Sequence, residues 1–377
     1  MHHFFLLIGR IFGTLRAEKR QLVNRYLSPI EQFEGNAKLI CEQIVDRLWE
    51  GNFYRTSLGH FDFFWMRDFG TVADSLTKLG HQDKVHHTLR WALKHWRRSG
   101  AVTLCIDSLG NTFNAPDLRS IDALPWLLHS IVVSDYQLNK AEFAFLQREV
   151  KKYRHTFLDE SGMILPIQFA ELRDAVIYDR SAYAVALVAR LAMCAEYLHL
   201  DHFPYKLEIY RRELLEHYWN GEYFNADARL SAFSAECAIM PFYLGIIDDK
   251  ELFQKTVTYI HNSRLNRPYP LRYTNQPEAF RYRWWMTAPF MPNYAGTSIW
   301  SWHGVFYLHV LSRYKMNEYA PEYHKFAAML ERHKTWPEML NPDGTWYKAP
   351  VYKGDPGMVW AALFLDLPTS KSTMSGR

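Results

Sequence analysis

The chain has 377 residues, of which 48% are hydrophobic and 22% charged, and its formal net charge at pH 7 is +4. This composition is typical of a globular protein with enough apolar material for a large core. A small net charge without a basic stripe gives no electrostatic basis for nucleic-acid binding. Aromatic residues make up 16% of the chain and include 13 tryptophans. Because aromatic rings stack on the apolar faces of sugars, tryptophans in loops favour a carbohydrate-binding cleft.

The four cysteines are far apart and follow no metal-ligand spacing: they are Cys41, Cys105, Cys194 and Cys237. They predict free thiols in a reducing, cytoplasmic compartment. The apolar N-terminal patch, residues 1–16, is too short to span a bilayer and lacks a signal-peptide cleavage site. We expect it to pack against the domain rather than to contact a membrane, and a helix on the membrane surface is the alternative. The histidines include no group at a useful spacing from carboxylates, and we predict no metal site and no cofactor.

Strand signals are scarce, and helical periodicity recurs almost everywhere between turn residues. We therefore predict twelve helices and an all-α fold. Their predicted ranges are 34–49, 66–79, 83–98, 120–134, 140–155, 179–199, 203–218, 234–246, 249–262, 297–314, 319–333 and 356–366.

The predicted helices recur in pairs at a near-regular spacing, although no repeat is visible in the sequence itself. Helical hairpins of this kind either stack into an open solenoid or close into a ring. Even-numbered helices, such as that in 181–198, are richer in apolar and small residues than odd-numbered ones, such as that in 142–155. This difference indicates an inner and an outer ring, and it predicts a closed (α/α)6 barrel. We place the barrel at 31–367, between an N-terminal extension (1–30) and a disordered tail (368–377).

If the inner helices are parallel, the loops that precede them converge on one face of the barrel. Those loops repeatedly place charged side chains next to tryptophans. Helix capping explains a single aspartate at a helix start, but capping needs no tryptophan, whereas a sugar site uses both. The candidate sugar-binding residues are Trp65, Arg67, Asp68, Trp126, Tyr178, Asp179, Arg180, Glu236, Trp284, Trp285, Asn293, Tyr294 and Trp336.

Hydrolysis of a glycosidic bond requires two carboxyl groups, one protonated to assist the leaving group and one ionised to attack or to activate water. The candidates for these two groups are Asp122 and Glu338. Asp122 precedes an apolar run, Ala123–Trp126, and apolar surroundings raise the pKa of a carboxyl group. Glu338 precedes a long loop, and in a closed barrel it would face Asp122 across the site. The structural alternatives are a helix cap for Asp122 and a solvated turn residue for Glu338.

Four segments of the chain resemble, in the same order, sequence blocks of the alkaline/neutral invertases, glycoside hydrolase family 100. Their Arg-Asp-Phe and Trp-Pro-Glu elements are the specific ones, and related six-hairpin glycosidases share looser versions of both. Together the segments cover most of the predicted barrel. They are FWMRDFGTVADSLTKLG (64–80), RSIDALPWLLHSIVV (119–133), PNYAGTSIWSWHGVFYLHVL (292–311) and WPEMLNPDGTWYKAPVYKGDPGMVWAALFL (336–365).

The resemblance implies inverting hydrolysis, with Asp122 as the general acid and Glu338 as the base that activates water. It also implies that Arg67 and Asp68 hold the sugar in the subsite before the scissile bond, and we expect Arg67 to keep Asp68 ionised. The Ala-Leu that follows the implied acid replaces the Ser-Gly of the family. This difference leaves sucrose and other α-glucosides equally consistent with the sequence.

The predicted function is therefore an inverting, exo-acting glycoside hydrolase that cleaves a small glucoside such as sucrose or another α-glucoside. A small sugar is the expected ligand, nucleic acid and membrane are not expected partners, and formation of a homo-oligomer is left open. The same barrel also suits a sugar epimerase, isomerase or lyase, which rely on histidine, tyrosine or arginine bases. A third alternative is a non-catalytic glycan-binding protein whose acids are helix caps.

Overall fold

The computed structural model describes residues 19–115 and 118–369. The apolar N-terminal patch and all but two residues of the predicted tail lie outside the described residues. All four cysteines are described, and they are buried free thiols. Within the described residues, no helix is both long and apolar enough to cross a membrane.

Twelve helices, α1 to α12, form most of the regular structure of the described chain, after a helical segment over 19–26. Every helix predicted from the sequence is present, although the last begins at Ala361 rather than at 356. The helices are α1 (Ala37–Arg47), α2 (Met66–Leu76), α3 (Gln82–Ser99), α4 (Ala123–Val133), α5 (Lys140–Phe157), α6 (Ala182–Tyr197), α7 (Leu207–Glu213), α8 (Ala235–Tyr243), α9 (Lys250–Asn262), α10 (Ser301–Arg313), α11 (Tyr319–His333) and α12 (Ala361–Asp366).

The even-numbered helices form the inner ring of an (α/α)6 barrel. Each packs on the next, from α2 through α4, α6, α8 and α10 to α12, and α12 returns to α2, so the ring closes. Every residue of α2 except Asp74 is buried, whereas α3 in the outer ring buries one stripe of residues from Val85 to Trp96. The prediction of a closed barrel rather than an open solenoid is confirmed.

Five strands of two residues each also occur in the described chain. They are absent from the sequence prediction because two residues are too few to show a period. The first three form an antiparallel sheet and the last two an antiparallel pair. One strand leads directly into α2 and another into α10, so they fix the chain where these inner helices begin. The strands are β1 (Phe64–Trp65), β2 (Cys105–Ile106), β3 (Thr112–Phe113), β4 (Ile299–Trp300) and β5 (Met339–Leu340).

Two glycines allow inner helices to approach their neighbours closely. A Cβ atom on Gly70 in α2 would lie 2.5 Å from the Cβ of Trp126 in α4. A Cβ atom on Gly304 in α10 would overlap the backbone oxygen of Pro270. Because that oxygen belongs to the backbone and cannot rotate away, position 304 has no room for a side chain.

We expect Gly304→Ala to lower the free energy of unfolding by about 1–3 kcal/mol, because the added methyl group overpacks the contact between α10 and Pro270. Chemical denaturation followed by circular dichroism measures this change. Thr258→Ala on the exposed face of α9 is the control, and it should change the free energy of unfolding by less than about 0.5 kcal/mol. An unchanged midpoint for Gly304→Ala would show that α10 can move away from Pro270 at no cost.

Candidate active site

A cavity of about 660 Å³ opens at the end of the barrel where the inner helices begin. Its wall combines the first turn of α2 with the loops before α4, α6 and α10 and the segment between α11 and α12. A volume of this size is usual for small-molecule sites, which range over about 300–1,000 Å³. The predicted residues that line the cavity are Trp65, Arg67, Asp68, Trp285, Tyr294 and Glu338.

Arg67, in the first turn of α2, is a buried cation at this site. Its Nε donates to Oδ2 of Asp122 at 2.5 Å, and its Nη1 lies 3.6 Å from Oδ1 of Asp174. Burial alone would lower the pKa of Arg67, but the two aspartates outweigh burial and hold that pKa well above its ordinary value. The guanidinium is therefore a fixed positive charge between two carboxyl groups.

Asp122, the predicted general acid, lies behind Arg67 and does not line the cavity. It is completely buried. Besides Arg67, its Oδ2 accepts from the hydroxyl of Tyr183 at 3.2 Å, and its Oδ1 accepts from Ser120 Oγ at 2.5 Å. Tyr183 in turn accepts from Nε1 of Trp126 at 3.2 Å. Both oxygens of Asp122 are thus occupied by protein donors, and the side chain anchors Arg67.

Asp174, in the loop before α6, lines the cavity but is not among the predicted residues. Its side chain is 17% exposed, so a ligand in the cavity can reach it. Burial raises the pKa of Asp174 to about 6, an effect that the charge of Arg67 opposes. A carboxyl group with this pKa is partly protonated near neutrality and can donate a proton.

Glu338, directly before β5, lines the cavity from the segment between α11 and α12. Both of its carboxyl oxygens accept from the hydroxyl of Tyr352, at 2.7 and 2.9 Å. Its Oε2 also accepts from the backbone amide of Asp355 at 2.8 Å. Burial, together with the negative charge of Asp355, raises the pKa of Glu338 well above its ordinary value, and the hydrogen bonds oppose this rise.

Asp68 and two tryptophans form another part of the wall. Oδ1 of Asp68 accepts from Nε1 of Trp360 at 2.9 Å, and the ring of Trp360 stacks on Trp302 with 4.4 Å between the ring centroids. Burial raises the pKa of Asp68 to about 7. Arg67 opposes this rise without cancelling it, because its guanidinium is directed at the other two aspartates. The direction of this pKa shift runs against the expectation that Arg67 keeps Asp68 ionised.

Three indole and guanidinium donors of the cavity-lining residues are buried without a partner in the described chain: Nε1 of Trp65, Nε1 of Trp302 and Nη2 of Arg67. Nε2 of His60, which also lines the cavity, is likewise buried and unpartnered within the described residues. A buried donor that makes no hydrogen bond is costly, so such groups in a cavity wall are suited to a ligand that supplies acceptors. The hydroxyl oxygens of a sugar are acceptors of this kind.

Four predicted sugar-binding residues are buried inside the barrel and do not line the cavity: Trp126, Tyr178, Glu236 and Trp336. The hydroxyl of Tyr178 donates to Oε1 of Glu236 at 2.8 Å, and Nε1 of Trp336 donates to Ser301 Oγ at 2.7 Å. Their polar atoms therefore bond within the protein. A position near a helix start fixes the end of the barrel, but the rotation of the helix decides whether the side chain points to the cavity.

The remaining four predicted residues do not line the cavity and are partly or fully exposed: Asp179, Arg180, Trp284 and Asn293. Asp179 pairs with Arg281 at 2.8 Å, and Oδ1 of Asn293 accepts from the amide of Thr297 at 2.7 Å. Trp284 is 73% exposed, next to the cavity-lining Trp285. In the described residues, no group of three or more His, Cys, Asp or Glu side chains is arranged to hold a metal ion.

The sequence does carry a signal for Asp174, because it lies in the charged stretch ELRDAVIYDR (171–180). The prediction favoured 178–180, which spans the expected helix start at 179. The helix begins at Ala182, and the chain passes the cavity eight residues earlier, at Asp174. The path of the loop decides which end of this stretch lies at the cavity, and the sequence does not show that path.

We expect Asp122→Ala to lower the free energy of unfolding by about 3–5 kcal/mol, because it removes the nearest counter-charge of a buried guanidinium. Asp122→Asn retains an acceptor for Arg67 and should cost less. Urea denaturation measures both changes. If both variants unfold like the parent protein, the pair of Arg67 and Asp122 does not stabilise the contact between α2 and α4.

Compared by sequence, the chain matches no protein-family model and no curated protein. Its structure is similar to solved glycosidases. A GH63 mannosylglycerate hydrolase from Thermus thermophilus, in complex with Tris, gives a TM-score of 0.57 at 13% identity over 88% of this chain and 99% of that chain. A glycosidase variant bound to glucose gives 0.62 at 12% identity over 94% of this chain and 99% of that chain. A bacterial glucoamylase complexed with acarbose gives 0.62 at 14% identity over 87% of this chain and 54% of the glucoamylase. The chain thus has the six-hairpin fold of these glycosidases.

Proposed function

We propose that this protein is a glycoside hydrolase that cleaves a small glycoside inside the cavity. The observation that carries the proposal is the pair Asp174 and Glu338, two carboxyl groups with raised pKa values that line one cavity. The aromatic rings and the unpartnered donors around them suit a sugar ligand. The three structural neighbours described above are named as glycosidases, and this supports the same class of reaction.

In this proposal Asp174 is the general acid and Glu338 is the general base. The pKa of Asp174, about 6, makes its protonated form available near neutrality. Burial and the charge of Asp355 raise the pKa of Glu338, which makes its carboxylate a stronger base, while the hydrogen bonds from Tyr352 and from the amide of Asp355 favour the ionised form. Asp122, to which the resemblance gives the acid's role, is proposed instead to hold Arg67 in place, because its own oxygens are occupied.

The proposed reaction uses one water molecule. Glu338 takes a proton from this water as the water oxygen attacks the anomeric carbon. Asp174 gives its proton to the glycosidic oxygen, so the bond between that oxygen and the anomeric carbon breaks and the leaving group departs as an alcohol. Attack on the face opposite the leaving group inverts the anomeric configuration.

The proposed substrate is a small α-glucoside, sucrose among the candidates, cleaved by exo-attack with inversion. The resemblance to the invertases supports this choice. Because Ala-Leu replaces the family's Ser-Gly after Asp122, the identity of the leaving group stays open. One structural neighbour is named a mannosylglycerate hydrolase, which adds that compound to those worth testing. The lining residues Trp285 and Tyr294 come from the loop before α10 and offer aromatic surface to the substrate.

We expect the protein to release monosaccharide from at least one compound in a panel of sucrose, maltose, isomaltose, kojibiose, trehalose, glucosylglycerate and mannosylglycerate. Asp174→Asn and Glu338→Gln should each lower kcat by about 10²–10⁴-fold, the usual contribution of a general acid or base. Asp122→Asn should lower kcat less than Asp174→Asn does. The NMR spectrum of the first anomer released tests inversion. A protein inactive on every compound contradicts the proposal, and a greater loss in Asp122→Asn would return the acid's role to Asp122.

A substrate whose leaving group needs no proton separates the two roles. We expect Asp174→Asn to hydrolyse α-glucosyl fluoride at a rate within about tenfold of the parent, because fluoride departs without general-acid assistance. Glu338→Gln should be as impaired on the fluoride as on the natural glycosidic bond, because water still requires a base. The same loss for both variants on α-glucosyl fluoride would contradict this division of roles.

The pH dependence follows from the productive protonation state, which has a proton on Asp174 and none on Glu338. Because the pKa of Glu338 is raised, only part of the free protein has this state, and kcat/KM should follow a narrow bell. Activity falls at high pH because the proton on Asp174, which the productive state requires, is then lost. With α-glucosyl fluoride as substrate, Asp174→Asn should therefore show no decline at high pH, and a decline of the parent's size would contradict the assignment.

A further inference from the structure

Asp355 is a completely buried carboxylate that the proposed reaction does not use, and it does not line the cavity. It accepts hydrogen bonds from the backbone amides of His60 and Phe61, at 3.0 and 2.9 Å, and from the side-chain amide of Asn24 at 2.6 Å. The hydroxyl of Ser57 also donates to it, and Nδ1 of His60 lies 2.5 Å from its Oδ1. Burial would raise the pKa of Asp355, but His60 and the other donors hold it below its ordinary value.

Asp355 and Glu338 each donate a hydrogen bond from the backbone amide to the other residue. The amide of Asp355 donates to Oε2 of Glu338 at 2.8 Å, and the amide of Glu338 donates to the backbone oxygen of Asp355 at 2.9 Å. The backbone oxygen of Glu338 also accepts from the amide of Ser301 at 3.1 Å. A shift of Asp355 therefore moves a donor away from the Glu338 carboxyl group, and the donors around the Asp355 carboxylate resist such a shift.

One of these donors comes from the opposite end of the chain. Asn24 lies in the helical segment 19–26 and is only 2% exposed. Its neighbours fix the same loop: Nε of Arg25 donates to the backbone oxygen of residue 349 at 2.5 Å, and the hydroxyl of Tyr26 donates to that of residue 350 at 2.6 Å. The segment 19–26 thus packs along the loop that carries both Tyr352 and Asp355.

We propose that Asp355 is a positioning residue for Glu338, and that Asn24 supplies one of the hydrogen bonds that hold Asp355 in place. Together they hold the amide that donates to Glu338 and place a fixed negative charge behind the Glu338 carboxyl group. A negative charge at this position makes a carboxylate a stronger base, because it favours the protonated form. The inference rests on the proposed function, since it takes Glu338 to be the general base.

Other titratable groups also face Glu338 and could influence its pKa. Asp68 of α2 raises the pKa of Glu338, but less than Asp355 does. The tyrosines Tyr294, Tyr347 and Tyr352 have raised pKa values, chiefly because of burial, so they are neutral in the range where a carboxyl group titrates. Asp355 is therefore the charge whose removal changes Glu338 most.

The test compares pH profiles in a background where Glu338 is the titrating group. In Asp174→Asn with α-glucosyl fluoride as substrate, activity should rise with pH as Glu338 loses its proton. Adding Asp355→Asn should move this rise to lower pH by about one unit, as expected when a nearby like charge is removed. In the otherwise unchanged protein, Asp355→Asn should lower kcat by about tenfold or more, because the donor to Glu338 is displaced, with KM changed less than about twofold.

Two further variants distinguish positioning from a loss of stability. Asn24→Ala keeps the charge of Asp355, so it should lower kcat without moving the pH profile. Asp366→Asn is the control, because it removes a half-buried carboxylate at the last residue of α12 that pairs with Lys78 and does not line the cavity, and it should leave kcat and the pH profile unchanged. If Asp355→Asn and Asn24→Ala lower only the melting temperature, the proposal is overturned. If Asp355→Asn does not fold, an unchanged kcat in Asn24→Ala overturns it.

A measurement that needs no turnover separates this inference from the proposed function. The infrared difference spectrum between the parent and Glu338→Gln reports the protonated carboxyl group of Glu338, which can be titrated directly. The titration should move to lower pH in Asp355→Asn, and an unmoved titration would refute the charge effect. A parent that hydrolyses no glycoside, with a titration that does move, would contradict the proposed function alone.

Discussion

The arrangement of the site depends on one buried positive charge, the guanidinium of Arg67. A buried guanidinium without counter-charges would be strongly destabilising, so the fold has to bring carboxylates to it. Asp122 at the start of α4 meets it directly, and Asp174 in the loop before α6 meets it at a longer distance. The same ion pairs therefore join neighbouring parts of the inner ring and set the electrostatics of the cavity. The closer aspartate is thereby occupied, and the more distant one is left free to face a ligand.

Another part of the cavity wall is organised around a negative charge. Asp355 is surrounded by donors from 57–61 and from the segment 19–26, and it holds Glu338 through the backbone. One side of the site is thus a cation held by carboxylates, and the other is a carboxylate held by neutral donors and a histidine. Asp68 and the stacked pair Trp302 and Trp360 also line the cavity. The proposed acid and base take their different tasks from these two surroundings.

The solved glycosidases with the same fold share only 12–14% identity with this chain. A barrel of six helical hairpins is therefore compatible with very different sequences, because its demands are apolar inner helices, close approach at positions such as Gly70 and Gly304, and loops of adequate length. Catalytic roles cannot be inferred from the fold and have to come from the side chains that meet at the cavity. In this chain Asp122 lies behind Arg67 and does not line the cavity, and for this reason the acid's role is proposed for Asp174.

The sequence by itself determined the twelve helices, their division into an apolar inner and an amphipathic outer ring, and the end of the barrel at which polar residues gather. These features follow from local periodicity and from the burial of apolar faces, which neighbouring residues in the chain decide. It also identified six of the residues that line the cavity, because those lie in the first turn of a helix or beside tryptophans in the loops. The tertiary structure alone decided which aspartate faces the cavity and that Asn24 reaches Asp355. Both depend on helix rotation and on contacts between residues more than 50 positions apart, which no local pattern encodes.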